Sequence, residues 1–181
     1  MKNNICFIFI GILVISCINP VPRSPISSKT GTLMEQSVSL NKSIIKSEEQ
    51  AILQVIQLDS MSSYEVSPNG FWYKFNLKSN NIYFPAMDDK VIYTYEVFDI
   101  YNSKIYGKEE IGLREYVIDK QEIVEGLRDG LKIMNEGDNV TFLFPSYKMF
   151  GYVGDHNKID INQPLIYKVQ LIKINKKNES N

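Results

Sequence analysis

Cysteine and histidine are nearly missing from this chain, with two and one respectively among 181 residues. Both cysteines, Cys6 and Cys17, lie near the start, so the body of the sequence offers no thiol for a disulfide, a metal or a nucleophile. An excess of one charge is missing too. Twenty basic residues face 21 acidic ones, for a net charge of −1 and a pI near 5.9. That balance excludes the basic field of a nucleic-acid binder. The longest basic cluster, Lys173, Lys176 and Lys177, reads as a solvated terminal tail. There is no internal repeat. The apolar run over residues 5–15 is shorter than the roughly 20 residues needed to cross a bilayer. What remains is an ordinary globular composition, 44% apolar and 23% charged, long enough for one domain with a real core.

Lys2 followed by the apolar run has the form of a signal-peptide core. The run ends in Val14-Ile15-Ser16-Cys17, which looks like a bacterial lipobox. The expectation is that residues 1–16 are a signal peptide and Cys17 is the lipidated first residue of the mature chain. A diacylated and N-acylated cysteine exceeds the two signals that stable membrane attachment requires. Residues 17–46, with Pro20, Pro22 and Pro25 among serines and asparagines, read as a flexible tether. The expected location is the bacterial cell envelope, lipid-anchored, with the domain facing the periplasm.

Ser47-Glu48-Glu49-Gln50 has the form of a capping box. It opens a predicted helix over residues 48–58 with the stripe Ile52, Val55 and Ile56. Three turns are short for a coiled coil, so a monomer is favoured. Pro68-Asn69-Gly70 marks a turn into the aromatic strand 71–77. Residues 91–100 place Val91, Tyr93, Tyr95 and Val97 on one face, the strongest period-2 signal in the chain. Tyr101-Asn102-Ser103 is a hairpin candidate. An amphipathic helix over residues 122–134 carries Ile123, Leu127, Leu131 and Met134, and Gly137-Asp138 breaks it. Strand 140–144, the loop Pro145-Ser146-Tyr147-Lys148-Met149-Phe150-Gly151, and the strand carrying Leu165, Tyr167, Val169 and Leu171 complete the order. Strands, then a helix, then strands predict an α+β fold in which an antiparallel sheet wraps around one short helix.

This second half resembles the C-terminal half of FKBP-type peptidyl-prolyl isomerases. The helix with its two glycines, the Pro-x-x-x-x-Phe-Gly loop and the closing Leu-x-Tyr-x-Val-x-Leu strand carry the likeness. With the lipobox and Asn69-Gly70-Phe71-Trp72-Tyr73, the chain most resembles the FKBP-type isomerase lipoproteins associated with gliding motility in Bacteroidetes. The expected divisions are a signal peptide (1–16), a tether (17–46), a helix and connection (47–66), an isomerase domain (67–175) and a tail (176–181).

The resemblance implies a shallow apolar pocket and an activity, cis–trans isomerisation of X–Pro bonds, on proline-containing polypeptide clients. It implies that Tyr95 is the family's strand tyrosine, that Ile123 and Val124 meet the substrate backbone, and that Leu127 floors the pocket. Phe150 takes the place of a loop tyrosine, Ile159 that of a wall isoleucine, and Tyr167 that of the wall aromatic. Ile105 and Tyr106 fall on the family's Phe-Asp pair. No metal and no cofactor is implied. Asp155-His156-Asn157 with Asp160 lacks the order and terminal glutamate of a calcium loop. Two departures stand out: Tyr106 replaces the pocket aspartate, and Phe150 lacks the hydroxyl that holds a substrate carbonyl.

Overall fold

Aromatic and β-branched residues at every second position build the sheet on which this protein is organised. The computed structural model describes residues 30–177. The chain divides into two compact units, Met1–Gln36 and Ser37–Asn181. Of the first, the described residues are 30–36, which open helix α1 (Thr30–Leu58). The second holds the rest of α1 followed by β1 (Glu65–Ser67), β2 (Phe71–Leu77), β3 (Lys90–Asp99), β4 (Lys104–Tyr106), α2 (Lys108–Ile111) and β5 (Arg114–Val117). Helix α3 (Glu125–Leu131), β6 (Asn139–Phe144), a 3-10 turn (Ser146–Lys148) and β7 (Leu165–Asn175) follow.

The strands form one antiparallel sheet in the order β1-β2-β6-β7-β3-β4, and β5 also pairs with β3. Strands β4 and β5 divide one edge of β3 between them, β4 at Val97 and Phe98 and β5 along residues 90–93. The expected α+β class, an antiparallel sheet around a short helix, is the observed one. Turn chemistry holds the connections. Gly70 takes φ +80° and donates its N–H to Ser67 O at 3.0 Å. The β3–β4 turn is held by Asp99, whose carboxylate accepts from the amides of Tyr101 and Ser103.

The inner face of the sheet carries Phe71, Val91, Tyr93, Val97, Phe142 and Phe144, packed against Leu127, Leu131 and Met134. Rings meet edge-on between Phe71 and Phe144 (5.1 Å) and stack between Phe142 and Phe144 (5.3 Å). Helix α3 is shorter than the predicted 122–134. Ile123 and Val124 are β-branched, and Val124 takes an extended conformation (φ −58°, ψ 138°) as the residue before the helix. After Leu131 the backbone tightens, with Ile133 bonding back to Gly130 and Met134 to Leu131. Gly126 sets how close the helix lies to the sheet. A Cβ there would stand 2.8 Å from Phe144 and 2.7 Å from the Met149 sulfur.

The sequence expectation fails at α1. Residues 30–46, read as tether, are helical, and Ser47 is mid-helix rather than a cap. Serine and asparagine gave this stretch a linker's composition, but no proline or glycine interrupts residues 32–58. Leu40, Ile44, Glu48, Ile52 and Val55 recur at helical spacing. Ile52 is fully buried against Trp72, Leu143, Ile166 and Phe98 on the sheet's outer face. Burying one such side chain contributes about 1.5–3 kcal/mol. The expected signal peptide and lipidated Cys17 lie outside the described residues.

Candidate active site

Around the start of α3, the inner face of β3 and β7, and the long loop 145–164 lies the part of the apolar core where the resemblance expects a substrate basin. Tyr95, Ile123, Val124, Leu127, Phe150, Ile159 and Tyr167, far apart in sequence, all belong to the core cluster. Leu127, Tyr167 and Ile159 are buried, at 2–4% exposure. Tyr95, Ile123, Val124 and Phe150 are half-buried around them, as are Ile105 and Tyr106. Tyr95 and Tyr167 stack at 5.2 Å across β3 and β7, and Phe144 meets Tyr167 edge-on at 5.7 Å.

Burial pushes up the pKa of the Tyr95, Tyr93 and Tyr167 phenols, that of Tyr167 most plainly. They remain neutral hydroxyls throughout the ordinary pH range. Among the groups acting on Tyr167 are Tyr95, Asp155 and Tyr106.

The loop is positioned from three sides. The buried carboxylate of Glu48, on α1, accepts the Ser146 amide and hydroxyl at 2.7 Å each, which fixes the 3-10 turn. Lys148 pairs with Glu125, in the first turn of α3, at 2.6 Å. At the loop's far end Asp155 gathers the chain. One of its oxygens accepts from the amides of Asn157 (2.9 Å), Lys158 (3.0 Å) and Ile159 (2.8 Å). The other accepts the hydroxyl of Tyr106.

Asn157 Nδ2 donates to the same Tyr106 oxygen at 3.1 Å. The Lys158 ammonium lies 4.7 Å over the Tyr106 ring and pairs with Glu110 at 2.6 Å. Burial opposes the charge on Asp155, but the Tyr106 hydroxyl and the loop amides outweigh it and hold the carboxyl below its ordinary pKa. Gly154 precedes it at φ +69°, and a Cβ there would stand 2.5 Å from Ile159 O, so the turn that delivers Asp155 and Ile159 requires glycine.

The sequence reading missed these supports. It weighed Asp155 only as a metal ligand and Glu48 only as part of a helix cap. The sole sequence signal for Asp155 was the Gly154-Asp155 pair, a turn-forming dipeptide. Nothing local marked Glu48 as a partner of Ser146, because 98 residues separate them.

The fold thus brings apolar side chains, neutral tyrosine hydroxyls and one held carboxylate together. No curated relative matches the chain by sequence. The fold is similar to the crystal structure of a peptidyl-prolyl cis-trans isomerase from Pseudomonas syringae pv. tomato str. DC3000, with a TM-score of 0.61 and 15% identity. That match covers 75% of this chain and 96% of the other. Residues 83–172 match the family described as FKBP-type peptidyl-prolyl cis-trans isomerase, and they include every residue assigned to the basin. In this domain the chain belongs to the FKBP-type peptidyl-prolyl cis-trans isomerase family.

Proposed function

We propose that this isomerase acts in the bacterial cell envelope, held to a membrane by a lipid on Cys17, and assists the folding of envelope proteins, including those of gliding motility. The lipobox-like Val14-Ile15-Ser16-Cys17 supports the anchor. Among the described residues no helix is long and apolar enough to cross a membrane.

The packing of Tyr95, Ile123, Val124, Leu127, Phe150, Ile159 and Tyr167 within one apolar cluster supports the catalytic reading. Rotation about an X–Pro bond meets a barrier of roughly 18–20 kcal/mol, set by amide resonance. The planar amide is the more dipolar form, and an apolar basin holds it less well than the twisted one. Rate follows from that difference in binding. The backbone at Ile123 and Val124 aligns the peptide, Leu127 and Tyr167 receive the proline ring, and the Tyr95 and Tyr167 hydroxyls supply donors. A protease-coupled assay on an Xaa-Pro peptide tests this, and a rate equal to the uncatalysed one would sink it.

A second reading is favoured by Phe150 and Tyr106, which remove a donor and a carboxylate from family positions. It makes the domain a non-catalytic chaperone or an adaptor in an envelope assembly. That reading requires suppression of aggregation by clients without proline, unaffected by filling the basin.

A further inference from the structure

Ser146 is the knot of the loop that holds Phe150. Its amide and hydroxyl both donate to the Glu48 carboxylate, at 2.7 Å each. Its carbonyl accepts from the amides of Met149 (2.9 Å) and Gly151 (2.8 Å), the two neighbours of Phe150. The Gly151 carbonyl in turn accepts from the Asn162 amide at 2.7 Å, which ties the start of the loop to its far end. Hydrogen bonds thus run without a break from α1 through Ser146 to the residues on either side of Phe150.

Glu48 does something that docking the helix does not require. It is 6% exposed, has no ion pair among the described residues, and is held by hydrogen bonds from Ser146. A buried carboxylate without a counter-ion is unfavourable unless it is hydrogen-bonded. Helix α1 is already seated on the outer face of the sheet by Ile52, Val55 and Ile56, against Trp72, Leu143, Ile166 and Phe98. An apolar residue at position 48 would add to that contact. It could not fix one position for a backbone amide and a hydroxyl, as two carboxylate oxygens do. The carboxylate therefore contributes placement of the loop rather than adhesion of the helix. Yet α1 lies wholly outside residues 83–172, the part of the chain that matches the isomerase family.

We infer that the working isomerase of this chain extends beyond the family domain to include α1, with Glu48 as a positioning residue that sets Phe150 through Ser146. Displacement of α1 from the sheet releases the clamp and slows the reaction, so the helix is a control element of the site. The inference rests on the reading that Phe150 meets the substrate.

The test is a protease-coupled isomerase assay on the full chain, run well below the melting temperature of each variant. Glu48→Ala should lower kcat/KM about tenfold, since small displacements of a contacting group cost rate. Glu48→Gln keeps one acceptor and should lie between that variant and the parent. Phe98→Leu loosens the outer face without touching the carboxylate, so it should lower the melting temperature and leave kcat/KM unchanged. In a Phe150→Ala background, Glu48→Ala should bring little further loss, because both changes act at one place. Hydrogen exchange in Glu48→Ala should quicken at the Met149 and Gly151 amides and stay as it was at Val169. Should Glu48→Ala not fold, Ser146→Ala removes the hydroxyl alone and makes the same comparison, with a smaller loss expected. An active parent matched by Glu48→Ala, losses that add in the double variant, or unchanged exchange at Met149 and Gly151 would each overturn this inference alone. A parent no faster than the uncatalysed reaction would overturn the catalytic reading, and this inference with it.

Discussion

The hydroxyl of Tyr106 donates a hydrogen bond to the carboxylate of Asp155, joining strand β4 to the loop that closes the basin. Strand β4 thus holds the donor, and the loop holds the carboxylate.

Asp155→Ala should free the loop and displace Ile159. The expected cost is about tenfold in kcat/KM, or about 1.4 kcal/mol of transition-state stabilisation. Tyr106→Phe removes one hydrogen bond of several and should cost less. If both variants matched the parent enzyme in steady-state kinetics, the loop would be positioned without this contact.

The depressed pKa of Asp155 gives a signed prediction for acid. Its stabilising contribution is fully present above the ordinary carboxylate value of 3.8 and is lost as pH falls through the lower folded value. Urea midpoints of the parent should therefore fall more steeply below about pH 4 than those of Asp155→Asn. Parallel curves would contradict it.

Phe150→Tyr restores a donor at the loop position. One hydrogen bond contributes about 0.5–1.5 kcal/mol, so kcat/KM should rise roughly two- to tenfold. Tyr167→Phe should lower it by a similar factor with little change in melting temperature. An unchanged or lower rate for Phe150→Tyr means that Phe150 does not occupy the carbonyl-binding position.

Glu48→Ala leaves the Ser146 amide and hydroxyl buried without an acceptor. Such a loss costs about 1–3 kcal/mol per orphaned group. Denaturant unfolding should show a lowered midpoint, with Glu48→Gln intermediate because it keeps one acceptor.

Gly126→Ala forces a methyl group into Phe144 and Met149. Overpacking of this kind costs about 1–3 kcal/mol. Calorimetry should record a lower melting temperature, and a stable variant would place α3 farther from the sheet.

Much of the fold was legible because its signals are local. Alternation at Val91, Tyr93, Tyr95 and Val97 states both the strand and its buried face, and Pro68-Asn69-Gly70 states the turn before β2. The apolar character of the Phe-Gly loop and of the closing strand was legible in the same way, and both pack into the core. What escaped depends on partners distant in sequence. The early turns of α1 have a linker's serine and asparagine content and stay exposed, while the stripe Ile52, Val55 and Ile56 gains its surface only from the row from Trp72 to Phe98. Asp155 acquires its role only when the loop folds back over Tyr106.

The two borders of the sheet have a consequence for self-association. An open strand edge is a template on which another chain could pair and aggregate. Here one border is β1, only three residues long, and the other is shared by β4 and β5, of three and four. Pro68 follows β1 directly, and Lys104 begins β4. The molecule thus presents only short outer strands along which another chain could extend the sheet.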